Sequence, residues 1–160
     1  MRSRPPQLSF PHPHIARIDF RRPKEANRLE AADLRLLQSY LSACDANEDL
    51  HVLLITSCGT TFSSGFDLRT LKQQAASART DEVAVLESFI DRLAASRLIT
   101  IAALNGLAIG AASDLVLACD LRLATVTAGI RMPAARFGMP LYLGALRRYL
   151  LAFGPAEQSI

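Results

Sequence analysis

The sequence predicts one α/β domain with parallel strand pairing. Short apolar runs rich in β-branched residues, at 51–56 (HVLLIT) and 98–104 (LITIAAL), read as buried strands. They alternate with segments whose apolar residues recur at helical spacing, the pattern of βαβ units. The chain has 160 residues, half of them hydrophobic, with mean hydropathy +0.18. That is enough for one core and excludes bulk disorder.

Residues 1–13 (MRSRPPQLSFPHP) read as a flexible lead-in, because prolines at four positions prevent a regular helix. The segment has neither an amphipathic helix nor the apolar core of a secretory signal, so the expected location is cytoplasmic. Residues 15–20 (IARIDF) alternate apolar and polar as a strand does, and 21–27 (RRPKEAN) form a loop. Leu34, Leu37 and Leu41 mark a helix over 29–43, which a polar turn (DANED) separates from the strand 51–56. Residues 57–68 (SCGTTFSSGFDL) form a loop rich in glycine, serine and threonine. A helix over 81–95 carries Val85, Leu86, Phe89, Ile90 and Leu93, with Thr80 as its expected N-cap. After the strand 98–104, Asn105-Gly106 is a turn signal. A short strand at 107–109, a small-residue helix over 110–117, a strand at 121–124, a broken strand at 129–139 and a helix over 141–153 complete the order. The core domain is expected to span 14–160.

Net charge is +3, with 16 arginines and two lysines dispersed along the chain, so no nucleic-acid partner is expected. The apolar stretch 98–119 is interrupted by Asn105 and Asp114, which argues against a membrane span. Three scattered cysteines, Cys44, Cys58 and Cys119, form neither a disulfide framework nor a zinc cluster. No P-loop, GxGxxG or GxSxG occurs. His12 and His14 lie in the lead-in and His51 opens a strand, so a serine–histidine–aspartate triad on Ser63 or Ser64 has little support.

Two segments stand out together: TTFSSGFDL at 60–68 and ITIAALNGLAIGAASDLVLACDLRLAT at 99–125. A weaker third is RRPKEANRL at 21–29. In this combination the chain resembles the enoyl-CoA hydratase/isomerase, or crotonase, superfamily from near Ile15 to Gly154-Pro155. The resemblance implies a crotonase-like spiral of ββα units. It also implies an acyl-CoA thioester as substrate, no tightly bound cofactor, and a homo-oligomer (trimer or hexamer). By the same resemblance, the core domain is expected to be without the family's usual C-terminal helical region.

A thioester enolate needs two N–H donors aimed at one oxygen. A tight loop after a strand can supply one, and a helix N-terminus the other. By the resemblance these are the backbone N–H groups of Phe66 and Ala111, the latter following Gly110. The small residues 110–112 equally suit close helix packing. Asp114 takes the place of the first hydratase glutamate as acid/base, or else is a helix-surface or capping acid. Where the second glutamate is expected stands Ala134, which cannot move a proton. CoA contacts are implied at Ala26, Arg28, Ser64, Asp67, Leu68 and Gly110. Arg28 reads either as a phosphate ligand or as a solvated helix residue. Enoyl-CoA hydration or isomerisation is the expected activity, and a non-catalytic CoA-binding or partner-binding chain is the alternative.

Overall fold

A computed structural model describes residues 3–66 and 76–154. Among the described residues, seven strands are arranged in two sheets. Five form the main sheet in the order β1 (Arg4–His12), β2 (Ile15–Arg21), β3 (Val52–Ser57), β4 (Ile99–Leu104) and β6 (Leu121–Ala124). All neighbours run parallel except β1 and β2, which form an antiparallel hairpin. The other two, β5 (Leu107–Ile109) and β7 (Gly129–Arg131), pair in parallel as a separate small sheet.

The four described helices are α1 (Ala31–Ala46), α2 (Ala76–Ala94), α3 (Ala111–Ala118) and α4 (Leu143–Phe153). They pack in chain order, α1 on α2, α2 on α3 and α3 on α4. Alternate residues of the sheet meet them. Ala16, Ile18 and Phe20 of β2 and Leu53 and Ile55 of β3 are buried, against Leu34, Leu37, Leu41 and Cys44 of α1 in the same core. Phe89, Ile90 and Leu93 of α2 and Leu115 and Val116 of α3 complete that core.

Residues 4–12 do not form the flexible lead-in that the prolines suggested: they are β1. Proline removes ladder donors, which a strand tolerates only at a sheet edge. β1 holds that position, pairing only with β2, and Pro5, Pro6 and Pro11 stand within it. Thr80 is not an N-cap either, since α2 is already helical at Ala76. β3 is buried on alternate residues rather than throughout, because helices cover one face of the sheet. At the opposite edge all four residues of β6 are exposed, Leu121 and Leu123 among them. On α4, Leu143, Leu146, Leu150, Leu151 and Phe153 are also exposed. Among the described residues no helix is long and apolar enough to cross a membrane.

The buried thiols make stability depend on alkaline pH. Burial, aided by the charge of Asp45, pushes Cys44 up from 9.0 to about 11. Burial likewise lifts Cys119 to about 12, against the pull of Arg122. Above pH 9 the unfolded chain loses these protons before the folded one does, so stability falls with rising pH. The urea midpoint at about pH 10.5 is therefore expected below that at about pH 8 with m unchanged. The Cys44→Ala/Cys119→Ala double variant is expected to show a shallower fall.

Candidate functional site

The site is built where the loop after β3 meets the turn that begins α3. Ser63 pairs with Ala108 of β5 in a parallel bridge, its N–H donating to Leu107 O and its C=O accepting from Ile109 N–H. Phe66 forms a second bridge with Leu29, whose N–H donates to Gly65 O at 2.8 Å. The loop is thus stitched to β5 on one side and to residues 26–29 on the other.

Gly65 lies between them with φ +81°, and a Cβ there would come within 2.4 Å of Ile109 O and 3.0 Å of Ala111 N. Only glycine permits this approach. Gly65 itself thereby lies against the first turn of α3, and Phe66 follows it in the chain. Gly110, the N-cap residue, supplies the positive φ of 58° that the turn requires. Ala111 and Ala112 have ordinary helical backbone, so alanine costs nothing there. Among the described residues, neither the Phe66 N–H nor the Ala111 N–H donates a hydrogen bond. For Ala111 this is the free donor that every helix start leaves over.

Asn27 braces the loop from below. Its Nδ2 donates to Cys58 O at 2.7 Å and Thr61 O at 2.8 Å, while Oδ1 accepts from Arg22 N–H at 2.8 Å. Ala26 and Asn27 both have left-handed backbone, φ 49° and 51°. That turns the Ala26 carbonyl to accept from Ser64 N–H at 2.8 Å. The Ser63 hydroxyl is fully buried, donates to Asn27 O at 2.7 Å and accepts from Gly65 N–H at 3.1 Å. Ser63 is therefore a brace and has no exposed hydroxyl to act as a nucleophile. Arg28 pairs with Glu25 at 2.9 Å and Glu30 at 3.0 Å, so its charge is already compensated. Asp67 and Leu68 lie outside the described residues.

Asp114 sits three residues beyond Ala111 on α3 and is only 1% exposed, so it is not a helix-surface acid. Arg148 of α4 grips it with both arms of the guanidinium, Nε to Oδ1 at 2.6 Å and Nη2 to Oδ2 at 2.9 Å. The Tyr142 hydroxyl also donates to Oδ2. Burial, then the Asp114 charge and hydrogen bond, hold the Tyr142 phenol far above its ordinary value, so it stays protonated. For Arg148 burial pulls downward, but hydrogen bonds to Asp114 and Asp91 outweigh it and the guanidinium stays charged. Beside this pair the Ser113 and Tyr149 hydroxyls meet at 2.5 Å, and burial raises Tyr149 to about 12. Ala134, in a 3-10 turn at Ala134–Phe137, is buried and brings no carboxylate.

Sequence reasoning found the two loops but missed the clamp on Asp114. The burial of Ala145 and Tyr149, which sets the packed face of α4, is known only from the structure.

The family model for enoyl-CoA hydratase/isomerase matches residues 12–157. The chain belongs to that family. YngF of Bacillus subtilis, whose name carries the same two activities, is 31% identical over 150 residues, covering 92% of this chain and 58% of its own. The mevalonyl-coenzyme A hydratase sidH of Aspergillus fumigatus is 30% identical over 148 residues, covering 92% and 54%. The crystal structure of enoyl-CoA hydratase from Bacillus anthracis superposes with a TM-score of 0.87 at 25% identity, covering 96% of this chain and 60% of that one. The crotonase-type fold expected from the two motifs is thereby shown. The chain spans a little over half the length of these relatives.

In this member of the enoyl-CoA hydratase/isomerase family, Asn27 is expected to hold the site loops together. Asn27→Ala removes three hydrogen bonds and strands buried partners, and is expected to cost about 2–4 kcal/mol. A lowered urea midpoint with unchanged m would show this. A loss below about 0.5 kcal/mol would mean that the loops are held elsewhere.

Proposed function

We propose that the chain binds an acyl-CoA thioester and stabilises its enolate between the Phe66 and Ala111 N–H groups. Asp114 is then the carboxylate that moves the proton. What supports this reading is the contact of Gly65 with the start of α3, together with two N–H groups, of Phe66 and Ala111, that donate no hydrogen bond among the described residues. Donors fixed before the reaction cost no reorganisation when charge develops, and the dipole of α3 adds to them.

In the reaction, an Asp114 oxygen takes a proton from the carbon next to the thioester. The C–H electron pair forms the enolate C=C bond, and the carbonyl oxygen takes the negative charge between the two N–H groups. Returning the proton to the same carbon is exchange; returning it two carbons along an unsaturated chain is double-bond isomerisation. One carboxylate suffices for either. Adding water calls for a second proton-transfer group, and Ala134 supplies none. Isomerisation is therefore favoured over hydration. The CoA would run along residues 26–28 and 64–68, mainly against backbone groups, since the Arg28 charge is shared with Glu25 and Glu30.

The burial of Asp114 under Arg148 and Tyr142 favours a second reading, a chain that binds acyl-CoA without turning it over. Deuterium uptake from D2O into a bound acyl-CoA, followed by mass spectrometry, separates the two. The wild-type chain is expected to exchange the α-proton. Asp114→Asn is expected to lose about 100-fold or more in rate while still binding. Gly65→Ala, which drives a methyl group into Ile109 O, is expected to lose about 100-fold or more through misplaced donors. Binding without exchange in the wild-type chain would establish the second reading.

A further inference from the structure

Asp114 is surrounded by few compensating charges. Among the described residues, Arg148 and Tyr142 touch it directly. Asp91 of α2 reaches it only through Arg148, accepting Nη1 at 2.7 Å, and Tyr149 of α4 only through Ser113. Tyr142 and Tyr149 are neutral, and Asp91 has the same sign as Asp114. Arg148 is therefore the one cation in this group. Its own side chain is only 12% exposed, whereas that of Asp91 is half exposed.

A carboxylate buried without a cation takes up a proton, and a protonated carboxyl cannot abstract one. A carboxylate offers about four acceptor positions. Among the described residues, Oδ2 accepts from Tyr142 and from Arg148 Nη2, and Oδ1 accepts from Arg148 Nε alone. One lone pair on Oδ1 is left. Resting on the function proposed above, we propose that Arg148 is a positioning residue that supplies the buried Asp114 with its countercharge and leaves one Oδ1 lone pair for the substrate proton. Asp91 anchors Arg148 from the neighbouring helix. The clamp is thus the condition under which a fully buried aspartate serves as a base.

The test is the pH profile of α-proton exchange in the wild-type chain, Arg148→Gln and Arg148→Lys, with acyl-CoA binding measured alongside. In Arg148→Gln the charge is gone. Exchange is expected to fall most at low pH and recover as pH rises, the midpoint moving up by about one pH unit or more. Arg148→Lys keeps the charge but loses the fork, so it is expected to keep the wild-type midpoint at a lower rate. An Arg148→Gln rate reduced by one factor at every pH, or unchanged, overturns the proposal. So does a midpoint in Arg148→Lys that rises with that of the glutamine variant. Should Arg148→Gln fail to fold, Arg148→Lys decides: a lower rate at the wild-type midpoint supports the proposal, and a raised midpoint or an unchanged rate overturns it. No exchange by the wild-type chain with acyl-CoA bound overturns the proposed function and this inference together. Exchange by the wild-type chain without the expected shift overturns this inference alone.

Discussion

Two stretches of backbone can touch only where no Cβ intervenes, and the site depends on Gly65 meeting Ile109 and Ala111 in this way. Everything around that contact serves to hold it. The Ser63–Ala108 bridge fixes the loop against β5, and the Leu29–Phe66 bridge fixes it against the start of α1. Asn27 ties the two supports together from the buried side. A chain with a larger residue at 65 would have to part the loop from the helix start, and no downstream residue compensates for that.

Two buried arginine–aspartate pairs frame the fold, and they differ in kind. Arg22 grips Asp33 beneath the start of α1, where Asp33 also caps the helix by accepting from Glu30 N–H at 2.8 Å. That pair fixes how α1 leaves the loop that carries Asn27. Arg148 grips Asp114 one helical turn from the Ala111 N–H, tying α4 to α3 at the site itself. Removing one partner of such a pair costs about 3–5 kcal/mol, because the other is left buried and uncompensated. Both pairs hold a helix in place, and under the proposed function the second also lies beside the Ala111 donor.

Much of this was legible in the sequence. The alternation of strand and helix identified the class, and the glycines, small residues and turn formers of the loops at 60–68 and 99–125, which are local signals, pointed to the candidate site. What was missed depends on tertiary context. The prolines of β1 read as disorder until the strand is known to lie at an edge, where a missing N–H costs nothing. The charge at Arg148 looked like one more solvated arginine among 16 until α4 packed on α3. Asp114 showed its type in the sequence, but not that three hydrogen bonds would converge on it. Such pairings join residues more than 25 positions apart, and no local pattern encodes them.

The central claim is that Phe66 and Ala111 present their N–H groups to one thioester oxygen. The most direct measurement is amide NMR of the isotopically labelled chain, titrated with an acyl-CoA and, separately, with CoA lacking the acyl group. The Phe66 and Ala111 amide protons are both expected to move downfield with the acyl-CoA and to stay in place with CoA alone. Movement of one without the other, or of neither while the ligand binds, would contradict that claim.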